Sequence, residues 1–177
     1  MALNARHTGR VYSALERNVS EFPTIKIWRA DPRAVIPTLA TAGAAGFDLH
    51  AVMPEGEDFA LRPGRRALIQ TGLHMAIPPG WEVQVRPRSG LAHKHGITVL
   101  NSPGTIDSDY RGPVGVILIS HGDGDFLIRT GDRIAQGVLA RCAPPRFEAV
   151  DSLEALEATE RGAGGFGSTG ITAEGAR

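Results

Sequence analysis

The chain has 177 residues, the length of one domain, and its 42% hydrophobic and 21% charged residues are ordinary for a folded protein, which excludes global disorder. Nineteen basic residues balance nineteen acidic ones, so the formal net charge of +0 does not favour a general nucleic-acid clamp. The 22 glycines and 12 prolines, with only 6% aromatic residues, favour many short strands over a helical bundle.

Residues 1–22 form an extension before the first predicted strand. They contain no continuous apolar segment of the kind that a secretory signal needs, and no run anywhere approaches the roughly 20 residues of a membrane span. Apolar residues recur at helical spacing at Val11, Leu15, Val19 and Phe22. We therefore expect a partly ordered extension and not an organellar transit peptide, which two glutamates in this segment disfavour.

From residue 24 onward, short apolar or alternating runs are separated by glycine and proline at intervals of about 8–12 residues, the pattern of a sandwich or barrel. The runs are TIKIW, FDLHA, ALIQTGLHMAI, WEVQV, GITVL, VGVILIS, DFLIRT and RIAQGVLARC. Hairpin turns are predicted at residues 78–80 and 122–124. The single cysteine, Cys142, can form no internal disulfide, which favours a cytoplasmic location, and its alternating apolar run predicts packing in the core.

Two short helices are predicted within this pattern. One spans residues 89–95, and the other spans 152–159, where Asp151 and Glu154 have the spacing of a capping box. After residue 160 the composition changes to a glycine-rich tail that holds no core-forming run. The sequence thus predicts an all-β domain over residues 23–160, flanked by the extension and by a flexible arm at residues 161–177.

The glycine-rich arm contains a literal GxGxxG pattern from Gly162 to Gly167, but no strand, helix and parallel sheet surround it as a dinucleotide site requires. Ser168 stands where a Walker A loop has its lysine. The glycine N–H groups, the hydroxyls of Ser168 and Thr169 and the charge of Arg161 could nonetheless wrap a polyphosphate. The alternative is a disordered glycine- and serine-rich tail.

Two further segments carry candidate chemistry. Ser89 lies where a strand gives way to a helical turn, so it could bind an anion, or it could be only a structural N-cap. Residues 101–112 form a predicted long hairpin containing Asp107 and Asp109, which would face the same way on a strand. One of them could be a general base, the pair could bind a divalent metal, or both could be solvated turn residues. Bare backbone groups of the hairpin could also pair with a small planar ligand.

Taken in chain order, five segments resemble the five motifs of the trimeric dUTPase family (deoxyuridine 5′-triphosphate nucleotidohydrolase). They are AGAAGFDL (42–49), PRSG (87–90), residues 101–112, GDRIAQ (131–136) and RGAGGFGSTG (161–170). The resemblance covers roughly residues 24–170 and implies a jelly-roll-like β-barrel that forms a homotrimer with active sites at the subunit interfaces. It also implies Mg²⁺-dependent hydrolysis of dUTP to dUMP and pyrophosphate by water attack at the α-phosphorus, which keeps uracil out of DNA and supplies dUMP for thymidylate synthesis.

The resemblance also implies roles for the residues that match the motifs. Asp107 would be the base that activates the attacking water. Tyr110 would pack beneath the deoxyribose and leave no room for a 2′-hydroxyl. The uracil edge would bind the side chain of Asn101 and the backbone of Gly104, Thr105 and Ile106.

At the phosphate end, the α- and β-phosphates would be held by Arg88, Ser89 and Gly90, with Gln136 close by. Asp48 would touch Mg²⁺ through water, since the triphosphate supplies the direct ligands. The arm would close over the site, with Phe166 stacked on the uracil and the outer phosphates covered by Arg161, Gly167, Ser168 and Thr169.

The alternatives are a dCTP deaminase-like enzyme and a non-catalytic nucleotide-binding protein of the same fold. The deaminase family carries a catalytic glutamate ten residues after the equivalent of Asp107, where this chain has Ile117, and no glutamate occurs between Arg86 and Arg146. An isoleucine cannot shuttle protons to an exocyclic amine. A pure binder would need neither the base nor the arm, so hydrolysis is favoured over both.

Overall fold

The structure, a computed structural model, describes residues 22–165. This part of the chain is mostly β-structure, with one α-helix and one 3₁₀ turn. The elements are β1 Lys26–Arg29, β2 Phe47–His50, β3 Phe59–Leu61, β4 Arg66–Ala76, β5 Trp81–Arg86, α1 Ser89–His95, β6 Ile97–Val99, β7 Gly104–Ile106, β8 Pro113–Ser120, β9 Phe126–Ile128, β10 Arg133–Arg141 and the 3₁₀ turn Leu153–Leu156.

The strands form two four-stranded antiparallel sheets, the architecture of a jelly-roll-like double sheet. The first sheet has the order β1-β4-β8-β6 and the second has the order β2-β10-β5-β7, while β3 pairs with β9 in a small ribbon. The all-β prediction is therefore confirmed. Within residues 22–165, no helix has the length and apolarity that crossing a bilayer requires.

One apolar core is shared by side chains from both sheets. Alternate residues of β8 are buried, as the period of a strand dictates, and its Leu118 meets residues such as Leu49, Leu73, Val83 and Ile134 in the same cluster. Burying each such side chain stabilises the fold by about 1.5–3 kcal/mol. This core belongs to the compact unit that ends at Ala143.

The second unit begins at Pro144. Its described part holds the 3₁₀ turn and exposed apolar side chains, among them Phe147 with 92% of its surface accessible. The prediction of a helix over residues 152–159 is wrong, except for this single 3₁₀ turn at Leu153–Leu156. Its cap is Ser152 and not Asp151, and no side-chain capping bond forms.

A bulge in β4 sets the pairing of β4 with β8. From the pair Gln70–Gly115 to the pair His74–Pro113, β4 advances four residues and β8 only two, so β4 carries two extra residues. Gly72 lies in this bulge with φ 68°, and a Cβ there would lie 2.9 Å from the Ala34 side chain. Both the left-handed backbone and the close approach require glycine.

Some local predictions are confirmed and others are corrected by the pairing. Helix α1 has the predicted bounds. Residues 78–80 do form a turn, but the strands that it joins, β4 and β5, belong to different sheets. The strands on either side of residues 122–124, β8 and β9, also belong to different sheets. Neither predicted hairpin therefore forms. Cys142 lies beyond the end of β10 and is exposed, so its expected core packing is wrong.

Candidate active site

A cluster of charged side chains lies where β2, β10 and the end of β5 meet. The Asp48 carboxylate on β2 contacts Arg88 Nε at 2.9 Å and Arg133 Nη1 at 3.5 Å. Arg88 Nη1 also donates to the Arg133 carbonyl at 3.1 Å. Two guanidinium groups thus share one carboxylate, which orients both of them. The cluster keeps a net positive charge, which favours the binding of an anion. Sequence reasoning missed Arg133, although it lies in the GDRIAQ segment.

Gln136 connects this cluster to the segment before α1. On β10 it lies directly opposite Asp48 of β2 and Arg86 of β5. Its Nε2 donates to the Pro87 carbonyl at 2.9 Å, which holds the backbone that leads into Arg88. Asp48, the predicted indirect Mg²⁺ contact, therefore lies beside Arg88 and Gln136, which were predicted to hold the phosphates, at one end of the second sheet.

Helix α1 begins at Ser89, with Arg88 as its extended N-cap. Because Arg88 occupies the N-cap position and Ser89 is the first helical residue, the structural N-cap alternative for Ser89 is wrong. Ser89 and Gly90 are both exposed, and no acidic residue occupies the first turn. N–H groups at a helix start have no intrahelical acceptor, so they favour an anion at this position.

The carboxylates and histidines of residues 22–165 form no group of three that could hold a metal. The Asp48 carboxylate is already engaged by two guanidinium groups. Nothing in the described part of the chain therefore surrounds a cation directly, and the Asp107–Asp109 pair gains no further ligand. This donor set fits a Mg²⁺ ion whose direct ligands are phosphate oxygens and not protein side chains.

His50 lies two residues from Asp48 on β2. Burial lowers the pKa of His50, while the nearby carboxylate of Asp48 acts in the opposite direction. Its Nδ1 atom is buried and has no hydrogen-bond partner among residues 22–165. A neutral imidazole here adds no charge to the guanidinium pair at neutral pH.

The predicted base-pairing edge is provided by β7, the last strand of the second sheet. One side of β7 pairs with β5, from Val83–Ile106 to Val85–Gly104. The other side has no partner strand among the described residues, so its backbone groups are available to a ligand. A Cβ at Gly104 would lie 3.1 Å from the Asn101 amide nitrogen, so the absence of a side chain lets Asn101 approach this edge.

Asp107 follows β7 directly and begins a turn, in which the Tyr110 N–H donates to the Asp107 carbonyl at 3.2 Å. The expectation that Asp107 and Asp109 share one face of a strand is wrong, because Asp109 lies in the turn. The Tyr110 hydroxyl donates to the Pro113 carbonyl at 3.0 Å. Asp107 and Tyr110 line a cavity of about 170 Å³ with Thr105, Ile106, Pro113, Val114 and Gly115.

These two groups of residues lie far apart within one chain. Val85 pairs with Gly104, and from this pair Arg88 and Asp107 lie three residues away in opposite directions along the sheet. Six extended residues at about 3.3 Å each separate them by roughly 20 Å. The Asp48–Arg88–Arg133 cluster and the Asp107 cavity of a single chain are therefore too far apart to contact the same small group.

Only the first part of the glycine-rich arm is described. The Arg161 side chain is exposed, and its Nε donates to the Gly164 carbonyl at 2.8 Å. Gly162 and Gly164 lie in successive turns without a preceding strand, which agrees with the exclusion of a dinucleotide fingerprint. The other predicted arm residues (Phe166, Gly167, Ser168 and Thr169) and residues 1–21 of the extension lie outside the described residues.

Comparison with known proteins shows one family consistently. Residues 32–170 match the dUTPase family model. The chain is 58% identical over 146 residues to the deoxyuridine 5′-triphosphate nucleotidohydrolase of Caulobacter vibrioides. This alignment covers 82% of this chain and 92% of the relative.

Solved structures give the same result at the level of the fold. The dUTPase of Staphylococcus bacteriophage 80alpha, solved with dUpNHpp, superposes with a TM-score of 0.73 at 25% identity over 84% of this chain and 99% of the phage protein. A mutant dUTPase of S. aureus phage phi11, whose structure describes the coordination of a structural Mg(II) ion, superposes with a TM-score of 0.65 at 23% identity over 74% of this chain and 99% of that protein.

Proposed function

Since the chain belongs to the dUTPase family and hydrolyses dUTP to dUMP and pyrophosphate, we propose that its reaction is attack of water on the α-phosphorus, with Asp107 as the general base. The observation that carries this proposal is the position of Asp107. Its carboxylate follows an unpaired strand edge and lines a cavity beside Tyr110. Among residues 22–165, no serine, cysteine, lysine or histidine lines the cavity, which favours direct attack by water.

The proton and bond changes balance in a single displacement. Water loses a proton to a carboxylate oxygen of Asp107 as its oxygen bonds to the α-phosphorus. The bond between the α-phosphorus and the bridging oxygen breaks, and pyrophosphate leaves with that electron pair. A positioned base and neutralised phosphate charge suffice for such a reaction.

Uracil selection is assigned to the free edge of β7 and to Asn101. An edge strand presents N–H and C=O groups in a fixed order, which can complement the N3–H and carbonyl groups of uracil. The backbone of Gly104, Thr105 and Ile106 would supply these groups. The hydrogen bond from Tyr110 to the Pro113 carbonyl orients the aromatic ring, which supports its assignment beneath the deoxyribose.

The phosphates are assigned to the guanidinium cluster and the start of α1. Arg88, Ser89 and Gly90 would bind the α- and β-phosphates, while Gln136 holds the segment that leads to them. Mg²⁺, held mainly by the triphosphate and through water by Asp48, would supply charge neutralisation when it is bound. Arg161 and the arm residues Phe166, Gly167, Ser168 and Thr169 would cover the nucleotide and exclude bulk water.

A homotrimer with active sites between subunits is supported by the spacing within one chain. Because about 20 Å separates Arg88 from Asp107 along the sheet, the cluster around Arg88 of one subunit would meet the Asp107 cavity of another. Exposed apolar side chains in the first unit, including Trp28 at 64% and Leu68 at 59%, agree with further association. The cytoplasmic location stays a prediction from the cysteine content.

The test replaces Asp107 with asparagine and compares it with Asp109→Asn, a matched change in the same turn. Asparagine keeps the shape of aspartate and removes the base, so we expect kcat for pyrophosphate release to fall at least about 100-fold, with affinity for dUpNHpp within about threefold of wild type. Asp109→Asn should keep most of its activity. A near-normal kcat in Asp107→Asn would contradict the assigned base, and ammonia release from dCTP would favour the deaminase alternative.

A further inference from the structure

We propose that His74 is a positioning residue for the reaction. Its imidazole holds the carbonyl of Arg111 and thereby keeps the Asp107 loop, defined as residues 107–113, in its active geometry. This inference rests on the proposed roles of Asp107 and Tyr110 and adds a residue from a different sheet to the site.

The contact is a well-formed hydrogen bond between distant parts of the chain. His74 Nδ1 lies 2.8 Å from the Arg111 carbonyl oxygen. Because a carbonyl can only accept, Nδ1 must carry the hydrogen, and it can donate in both the neutral and the charged ring. The imidazole also contacts the Trp28 indole in a tilted arrangement, with ring centroids 4.8 Å apart, which restricts the orientation of the donor.

Apart from the pairing of Pro113 with His74 at the start of β8, the other hydrogen bonds described for the Asp107 loop close on the loop itself. Arg111 Nη1 donates to the Ser108 and Tyr110 carbonyls, both at 2.7 Å, and the Tyr110 hydroxyl donates to Pro113. These bonds hold the loop's internal shape without fixing it to the barrel. The bond from His74 ties that preformed unit to β4.

Proline at the loop's end explains why a side chain is needed there. Pro113 pairs with His74 at the start of β8 but has no N–H to donate to the ladder. The imidazole supplies a bond to the neighbouring carbonyl in its place. The sheet is thereby anchored to the loop at the point where backbone pairing is weakest.

The β4 bulge is what presents His74 at this point. If the pairing of Arg66 to Gln70 continued without the bulge, Gly72 would lie opposite Pro113 and would offer no side chain. The two extra residues put His74 there instead. The buried Thr71 hydroxyl donates to the Val114 carbonyl at 2.7 Å and accepts from the Leu73 N–H at 3.3 Å, which stabilises the bulge.

The consequence for the reaction follows from what holds Asp107. Its neighbours on one side belong to β7 of the second sheet, and on the other side the loop enters β8 of the first sheet. Losing the anchor on β4 lets the loop shift relative to the edge of β7. Misplacing a catalytic group by about 1 Å can lower the rate on the order of 100-fold. Because the loop keeps its internal hydrogen bonds, we expect a smaller displacement of Asp107 and a fall in kcat of about tenfold.

Two substitutions separate the hydrogen bond from the ring contact. His74→Phe keeps an aromatic ring against Trp28 and removes the donor. His74→Asn removes the ring but places an amide donor where Nδ1 was. His121→Phe, the same change at an exposed histidine beyond the other end of β8, is the control.

We expect kcat for dUTP to fall about tenfold in His74→Phe and to recover to within about threefold of wild type in His74→Asn, with His121→Phe unaffected. Melting temperature and oligomeric state would be measured on each variant, and neither should change in parallel with kcat. Wild-type kcat in a folded His74→Phe protein, or equal losses in His74→Phe and His74→Asn, would overturn the inference. Asp107→Asn would be assayed in parallel. If Asp107→Asn is inactive while His74→Phe is fully active, only the proposed role of His74 is refuted. If Asp107→Asn is active, the assignment of the base is refuted and this inference with it.

Discussion

Replacing Gly112 with alanine should displace Tyr110 and weaken the choice of deoxyribose. A Cβ at residue 112 would lie within 3 Å of the hydroxyl, Cζ and Cε2 atoms of the Tyr110 ring. Gly112 is not among the described glycines with positive φ, so its backbone angle does not require glycine. The effect of the substitution should therefore come from the overlap with the ring.

The size of the effect on stability and on substrate choice depends on where the Tyr110 ring can move. Tyr110 is 43% exposed, so the ring can swing toward solvent, but doing so breaks its 3.0 Å bond to the Pro113 carbonyl. Such a bond contributes about 0.5–1.5 kcal/mol. For a chain of this length the melting temperature should fall by about 2–4 °C per kcal/mol. Loss of the ring beneath the deoxyribose should lower kcat/KM for dUTP and raise the UTP-to-dUTP ratio of kcat/KM roughly tenfold.

A double-mutant cycle with Tyr110→Ala isolates the cause. Thermal unfolding and kcat/KM for dUTP and UTP would be measured for Gly112→Ala, Tyr110→Ala and the double variant. If overlap with the ring is responsible, Gly112→Ala should cost little once Tyr110 is alanine. An equal cost in both backgrounds would refute the reasoning, because the penalty would then arise from the backbone or from another neighbour.

Two further predictions concern the arm and an exposed ion pair. A chain that ends at Glu160 should keep the melting behaviour of the barrel but lose turnover, and co-expression with full-length Asp107→Asn should restore activity in mixed trimers identified by differential tags. Mixed trimers without recovery would argue that the arm serves its own subunit. Side-chain and backbone hydrogen bonds from Arg33 hold the pKa of Asp31 at about 2 against an ordinary value of 3.8, so their stabilising effect is complete above pH 3.8 and is lost as the pH falls toward 2. Carbon-13 NMR of the Asp31 carboxyl should show its titration move up from about 2 toward 3.8 in Arg33→Ala, but not all the way, because the backbone N–H of residue 33 still donates to Asp31 Oδ1. An unchanged titration would contradict the assignment.

Local patterns in the sequence determined the elements of this protein. Alternating apolar residues predicted eight of the strand-bearing segments, and the bounds of α1 follow from the loss of alternation after Arg88 and from the glycine at residue 96 that ends the helix. The order of the five motifs identified the family. These features depend on residues that are neighbours in the chain, so a period of two or a glycine turn is enough to recognise them.

The strands β3 and β7 were not predicted as strands, because neither lies in a longer apolar run of the kind that contains the equally short β6 and β9. The turn at residues 78–80 was placed correctly, yet its strands separate into different sheets. Cys142 continues an apolar run but lies just past the last paired residue of β10, where burial ends. In each case the local pattern is compatible with more than one pairing.

The arrangement of the site was decided only by the tertiary structure. Pairing made β7 an edge strand, separated Arg88 from Asp107, and brought His74 to a carbonyl 37 residues away along the chain. These outcomes depend on which strands share a core and on a two-residue bulge in β4. The free energy that selects them comes from long-range burial and hydrogen bonding, and no short window of sequence contains both partners of such a contact.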